Sequence, residues 1–555
     1  MSQRLTPKIV SVFREGYTLH EFGKDLTAGL IVGILALPMS IAFAIASGVK
    51  PEQGLFTAIV AGFLAGILSG SRYQVTGPTG AFIILIADTY ARYGYDGLIL
   101  ATLLAGLILI AMGFARFGIA IKFIPYPVTI GFTSGIALLI FTTQIQDFFG
   151  MKLIDPLPSS FLNKWVTYVQ NAALIDLPTL ALSVLCLLIM WFWPRYITKI
   201  PAALVAIVAS SVIVKAFDLP IMTIGDRYGQ VAACFPCLSW PKITWEAISN
   251  VISPAFAIAL LAGIESLLSA VVADGMTGRR HRSDMELISQ GVANIGSALC
   301  GGIPATGAIA RTATNIKSGA KSPVAALFHS ITLLIILFYL GSFVSVIPMA
   351  ALSAILMIVA YNMSEWRHFV HLFRSPIDDI VVLLVTFFLT VLVDLVTAIE
   401  VGVILAAFVF INRMAQATRT DDLKEGMLEE DDPKDYEALK EFEIPEEVEV
   451  FQIYGSLFFA AAEEFKNTLG AMQNKPRVLI LRMRHVLSID ATGIRALSDI
   501  IDEAKRNHTT ILLSGVKGNV KSALDRSGIV ARVGPDNFHG NIGAALKHSE
   551  NLIKA

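Results

Sequence analysis

Two short segments echo each other: Gly77-Pro78-Thr79-Gly80-Ala81 and Pro304-Ala305-Thr306-Gly307-Ala308. Each lies between apolar stretches, and more than two hundred residues separate them. A Gly/Pro break recurring at corresponding places in two halves of an apolar chain points to discontinuous membrane helices. Such breaks persist at membrane depth only where the freed backbone groups line a cavity inside the protein. The half-helices that follow aim their first N–H groups inward, which favours an anion. The expected site therefore contains Gly77, Pro78, Thr79 and Gly80 from one break and Thr306, Gly307 and Ala308 from the other. Small residues also serve close helix packing, but their repetition at both breaks favours the site.

The rest of the chain has the composition this requires. Of 555 residues, 55% are hydrophobic and 16% charged, against about a quarter charged in soluble proteins. The mean hydropathy is +0.66. The formal net charge of −1 hides an asymmetry, because charges are sparse to about Arg413 and dense afterwards. This argues for a lipid environment and against nucleic acid. The charged N-terminal stretch runs straight into a first apolar span, so no cleavable signal peptide is expected. Cys186, Cys234, Cys237 and Cys300 form no disulfide framework. Cys234-Phe235-Pro236-Cys237 has redox-motif spacing without the βαβ context that would support it, so it reads as an ordinary loop.

Apolar segments predict spans near 26–46, 52–69, 78–90, 97–115, 127–147, 179–194, 200–216, 252–272, 286–300, 307–317, 324–346, 350–361, 377–393 and 395–412. The third and tenth are too short to cross alone, and each follows a Gly/Pro break. Fourteen segments divide as seven plus seven, and an odd number per repeat inverts the second repeat. With the N-terminus in the cytoplasm, alternate loops collect Arg72, Arg116, Lys122, Arg195, Lys199, Arg279, Arg280, Arg282, Lys317, Lys321, Arg367, Arg374, Arg413 and Arg419. The short opposite loops hold none and the longer ones only the scattered Lys152, Lys164, Arg227 and Lys242, which fits the positive-inside rule with both termini inside.

After Arg413 an acidic stretch, 414–443, reads as a solvated linker. Beyond it the pattern is that of a soluble α/β domain, 444–555. Strands are predicted from Val448 and over 476–483 and 510–514, with an amphipathic helix over 494–505.

These residues resemble the SulP anion transporters. The resemblance is carried by Asp25-Leu26-Thr27-Ala28-Gly29, Pro38-Met39-Ser40-Ile41-Ala42-Phe43-Ala44, Val75-Thr76-Gly77-Pro78-Thr79, Gly263-Ile264-Glu265-Ser266 and Pro304 to Thr312. The C-terminal domain is similar to the STAS domain of that family, with Asp490-Ala491-Thr492-Gly493 at its signature loop. Glu265-Ser266-Leu267-Leu268, Asp274 to Gly278, Asn362 to Glu365 and Leu457 to Glu463 look most like the bacterial aerobic dicarboxylate transporters of the family.

The resemblance implies a polytopic α-helical membrane protein with a cytoplasmic segment 1–24 and a transport domain 25–413. That domain has core and gate parts built from the two inverted repeats. It also implies a homodimer in a bacterial inner membrane, moving its core as an elevator. The substrate would lie between the third and tenth helices.

Arg311, one turn into the second half-helix, supplies a fixed charge for an anion; a backbone carbonyl or carboxylate partner is the structural alternative. The absence of hydroxyls at Ala308 and Ala310 leaves a more apolar pocket, suited to an organic anion. Glu265 stands in an apolar span with no basic residue at helical spacing, and desolvation disfavours its charged form. It is the expected coupling site for a proton or, if ionised, for Na+. Phe43 is placed at the pocket wall. Asp88 and Asp394, at span ends, read as capping residues. Some family members carry an acid where this chain has Met39, so the coupling falls on Glu265.

Ala491 stands where related anti-sigma-factor antagonists carry a phosphorylated serine, which excludes that switch. Thr492 is expected to cap a helix starting at Gly493, leaving the domain a scaffolding role with a cytoplasmic protein partner as a further role.

The sequence thus predicts proton-coupled uptake of four-carbon dicarboxylates or sulfate, with no cofactor, metal or catalytic residue. A passive anion channel, a bicarbonate exchanger, a nucleobase–cation symporter of the same fold and a membrane-anchored signalling scaffold are the alternatives.

Overall fold

A computed structural model describes residues 5–118, 125–153, 158, 160–196, 200–230, 238, 240–416, 419–422, 444–457 and 476–554. Cys234, Cys237 and most of the acidic stretch after Asp422 lie outside the described residues. The chain divides into two compact units, Met1–Ala406 and Ala407–Ala555.

The first unit begins with α1 (Lys8–Glu15) and α2 (Leu19–Ala46). A capping box opens α2: Thr18 Oγ1 accepts from Glu21 N–H at 3.3 Å, and the Glu21 carboxylate accepts from Thr18 N–H at 2.9 Å. Pro51, at the first position of α3 (Pro51–Leu68), needs no backbone donor there. The chain then breaks into β1 (Thr76–Gly77) and resumes, through a 3₁₀ turn over Gly80–Phe82, as α4 (Ile83–Phe114). The expected spans 78–90 and 97–115 both fall on this element, two helical stretches that meet at a kink. Gly94 supplies it, at φ 67° and ψ −172°, a conformation that a side chain would resist.

There follow α5 (Tyr126–Phe149), α6 (Phe161–Gln170), α7 (Leu177–Tyr196), α8 (Ala202–Ala216), α9 (Ile224–Tyr228), α10 (Trp245–Thr277) and α11 (Ser283–Leu299). The second break carries β2 (Thr306–Gly307). After it come α12 (Ile309–Lys317), α13 (Val324–Val344), α14 (Met349–Met363), α15 (Trp366–Leu372), α16 (Ile377–Leu392) and α17 (Leu395–Gln416). Among the described residues, eight helices are long and apolar enough to cross a membrane; of the other expected spans, 324–346 falls on the 21-residue α13 and the rest on shorter helices.

Packing separates two groups within this unit. One joins α2, α3, α4, α10, α11, α12 and α13; the other joins α5, α7, α8, α14 and α16. Glycines let backbones approach in the first group. A Cβ on Gly291 of α11 would sit 2.6 Å from the Gly106 carbonyl of α4, and one on Gly29 of α2 would sit 2.5 Å from the Ala325 carbonyl of α13.

Two buried acids hold the loops after α3 and after α12. Glu286 accepts from Gly70 N–H at 2.8 Å, Ser71 N–H at 3.2 Å, Ser69 Oγ at 3.0 Å and Gln290 Nε2 at 2.8 Å. Asp25 accepts from Tyr17 OH and Lys321 N–H, both at 2.6 Å, and from Ser322 N–H at 3.1 Å. Each acid is satisfied where it is buried, so both hold structure.

The second unit is a five-stranded sheet in the order β3 (Arg419–Asp422), β4 (Val448–Leu457), β5 (Val478–Ile489), β6 (Thr510–Ser514), β7 (Phe538–His539). The β4–β7 pairs are parallel and β3 is antiparallel to β4. The stretch expected to be linker, 414–443, therefore contains an edge strand and the end of α17. Between the strands run α18 (Ala491–Arg506), α19 (Gly518–Arg526) and α20 (Ile529–Val533), and α21 (Ile542–Lys554) closes the chain. Leu497, Ile500 and Ile501 of α18 cover one sheet face, and Ile542 and Leu546 of α21 cover the other. The cap of α18 corrects the sequence reading. Asp490 Oδ1 accepts from Gly493 N–H at 2.7 Å, so the helix starts at Ala491. Thr492 lies inside the first turn because aspartate, three residues before Gly493, has the N-cap geometry.

Candidate functional site

The two breaks meet. Thr76 pairs with Gly307 and Gly77 with Thr306 in a two-stranded antiparallel ladder, continued by Ala308 N–H to Val75 O at 2.9 Å. α4, through its 3₁₀ turn, and α12 each follow one strand of this ladder within a few residues, so both half-helix N-termini originate at one place in the helical unit. The ladder is held from outside by side chains: Thr306 Oγ1 donates to Ala262 O at 2.9 Å, Gln290 Nε2 to Thr76 Oγ1 at 2.8 Å, and Val75 N–H to Thr312 Oγ1 at 3.1 Å.

Arg311 projects from α12 onto the other break. It is 1% exposed, and its Nη2 donates to Pro78 O at 2.8 Å. Its Nη1 has no hydrogen-bond partner, and among the described residues no carboxylate lies within ion-pair distance. Gly77 is needed here, since a Cβ would fall 2.2 Å from Nη1. A buried guanidinium half-satisfied by a carbonyl keeps its charge free for a ligand. The carbonyl partner and the free nitrogen belong to the same side chain, so the structural and functional readings of Arg311 coexist.

Around the first break, Thr79 is buried with its hydroxyl unpartnered. Phe43 and Met363 flank Gly80: a Cβ there would lie 3.6 Å from Phe43 Cε1 and 2.6 Å from Met363 Sδ. Around the second, Ala308 is the N-cap residue of α12 with no side-chain cap. The first N–H groups of α12 are accordingly left for an acceptor from outside the helix. Ile309 and Ala310 are exposed, whereas Gly80, Ala81 and Phe82 at the other half-helix are buried. The two ends of the site are unequal, with α12 the open one.

Glu265 borders a recess of its own. It is half-buried on α10 and lines a recess of about 30 Å³ with Thr129, Phe132 and Thr133 of α5 and Ile399 and Val403 of α17. Both threonine hydroxyls donate to their own helix, to Tyr126 O and Thr129 O at 2.8 and 2.9 Å. The recess holds about one water by volume. Glu265 thus stands at a seam between α10 and two helices outside its packing group, while Ala262 and Ser269 of the same helix meet Thr306 and Thr312 at the second break.

Asp394 accepts from Thr397 N–H at 2.9 Å, capping α17, and Asp88 pairs with Arg92 at 2.8 Å.

Three residues near the crossing were not singled out from the sequence. Gln74 lies over Gly307, its Nε2 1.8 Å from where a Cβ would be, and both amide atoms lack partners. Met363 reaches Gly80 from α14. His329 is buried on α13 with both ring nitrogens unpartnered. A lone histidine in an apolar run and a glutamine directly before a Gly/Pro break are signals the sequence does carry.

The sulfate permease family matches residues 22–386, and the STAS domain matches residues 440–545. A Bacillus subtilis protein, YvdB, provisionally named a sulfate transporter, is 39% identical over 526 residues, 94% of this chain and 97% of its own length. The bicarbonate transporter BicA of Picosynechococcus is 29% identical over 540 residues, 95% of this chain and 94% of its own. Among solved structures, the murine Solute Carrier 26 member A9 anion transporter, in the inward-facing state, superposes with a TM-score of 0.86 at 19% identity. That match covers 99% of this chain and 94% of that one. The transmembrane domain of a cyanobacterial BicA gives 0.60 at 28% identity, covering 70% of this chain and 98% of that one.

Proposed function

Since the chain belongs to the sulfate permease family, and is therefore a multi-pass membrane anion transporter and not an enzyme, we propose that it carries a small oxyanion, sulfate first, through the site where β1 crosses β2. One observation supports this above the others: Arg311 is a buried cation whose Nη1 lacks a partner. An uncompensated buried charge is costly, and an anion meeting Nη1 and the free N–H groups of α12 removes that cost. Sulfate takes precedence because relatives are named for sulfate and bicarbonate. A four-carbon dicarboxylate is the second reading, favoured by the apolar Phe43 and Met363 beside Gly80 and by alanine at position 308.

In this reading the group of helices around α10 slides as an elevator against the group around α5, in a homodimer. Both termini face the cytoplasm of a bacterial inner membrane. Residues 25–413 transport, and the C-terminal domain from 444 is a scaffold open to a cytoplasmic protein partner. Glu265, at the seam, couples the slide to a proton or Na+. A charged carboxylate in an apolar recess resists burial, whereas a neutral one slides through.

Uptake of radiolabelled sulfate and succinate into liposomes, with and without an inward proton gradient, tests this. Gradient-driven sulfate uptake is the expected result. Driven uptake of succinate alone replaces the first reading with the second. Flux of both anions, indifferent to the gradient, means a channel or exchanger.

A further inference from the structure

A second cavity, of about 580 Å³, opens between the two packing groups on the face where α2 ends and α6 lies. Its wall includes Ala46, three residues beyond Phe43, and Ile84, four beyond Gly80. One helical turn separates it from the central site on each of these elements. Helix α6 borders it with Lys164 and Tyr168.

The charges lining the cavity are mostly engaged. Asp88 is paired with Arg92 at 2.8 Å. Asp394 is occupied at the start of α17, where Thr397 donates its N–H at 2.9 Å and its Oγ1 at 2.8 Å. Lys164 is the exception: among the described residues it has no acid within ion-pair distance. Tyr168, one turn along α6, is 3% exposed and its hydroxyl has no partner. A tyrosine buried to this degree ordinarily finds one. An ammonium without an ion-pair partner and, one turn along the same helix, an O–H donor without a hydrogen-bond partner thus border one cavity.

We propose that this cavity is an anion-capture site, in which Lys164 and Tyr168 hold a small oxyanion before it passes to the crossing of β1 and β2. The inference rests on the anion-transport reading for its direction of traffic, but not for the binding itself. Anions entering from the α6 face are concentrated at Lys164. Anions entering from the opposite face reach the central site without it.

The test uses the full-length protein in liposomes of known orientation and radiolabelled sulfate. Lys164→Gln should raise KM for entry from the α6 face by about five- to tenfold, the loss of one charge-assisted contact, with kcat kept. Lys164→Arg should retain the wild-type KM within about twofold, and KM from the opposite face should not move. An unchanged KM on the α6 face, or an equal rise on both faces, overturns the proposal. Equilibrium binding of sulfate to Arg311→Ala protein reads the cavity whether or not transport occurs. A weak site that survives Arg311→Ala and disappears on adding Lys164→Gln is expected. No binding to Arg311→Ala, or binding indifferent to Lys164, contradicts it.

Discussion

Arg311→Ala should lower kcat/KM for sulfate uptake by about two orders of magnitude or more while leaving a folded protein. Truncating one partner of a buried, hydrogen-bonded charge pair costs about 2–5 kcal/mol, and a hundredfold corresponds to about 2.7 kcal/mol. The fold loses only the donor to Pro78 O, a cost of about 1–3 kcal/mol in a unit braced separately by Glu286 and Asp25. Arg311→Lys should recover part of the activity. Its single ammonium keeps the charge but cannot offer the planar fork that meets Pro78 O and an anion together. Initial-rate uptake with a thermal unfolding control measures both. Unchanged kinetics in Arg311→Ala would remove the arginine from the site.

Glu265→Gln should abolish proton-driven accumulation while sulfate counterflow continues at close to the wild-type rate. Glutamine is nearly isosteric and permanently neutral, so the recess between α10, α5 and α17 still closes around it. The variant then resembles the protonated carrier in every state. It slides with or without a proton, which uncouples transport without stopping it. Accumulation under a pH gradient, compared with counterflow at equal pH, separates the two effects. Full gradient-driven accumulation by Glu265→Gln would mean that coupling resides elsewhere. Loss of counterflow as well would make Glu265 a packing residue of the seam.

The parts of this molecule visible in the sequence are those fixed by local chemistry. Gly77-Pro78 and Thr306-Gly307 advertise their breaks because Gly and Pro cannot continue a helix cheaply, and the ladder between Thr76–Gly77 and Thr306–Gly307 lies where the echo places it. Arg311 shows because a cation just after a helix break in a membrane domain needs a reason. Strand β6 coincides with the predicted 510–514, since a short apolar run after a helix has few alternatives.

What stayed hidden depends on distant partners. Helix α6 is only ten residues long, and one of the elements beside it, α16, is more than two hundred residues away in sequence. The gap between the spans 78–90 and 97–115 is legible, but its form, a kink at Gly94 with positive φ, appears only in the backbone angles. That Glu265 faces α5 and α17 could not be read from its position on α10, since that helix is apolar all round and only packing decides which face meets them. Met363 reaches Gly80 across almost three hundred residues of sequence, a contact no local pattern encodes.

The central claim is that the anion binds where β1 crosses β2, between the N-termini of two half-helices. Cryo-electron microscopy of the purified protein in saturating sulfate, against a sulfate-free control, tests it most directly. The account predicts density for the anion within hydrogen-bond distance of Arg311 Nη1 and the first N–H groups of α12, near Thr79 and Phe43. Sulfate bound elsewhere with this crossing empty, or Arg311 Nη1 turned to a protein carboxylate in the bound state, would contradict it.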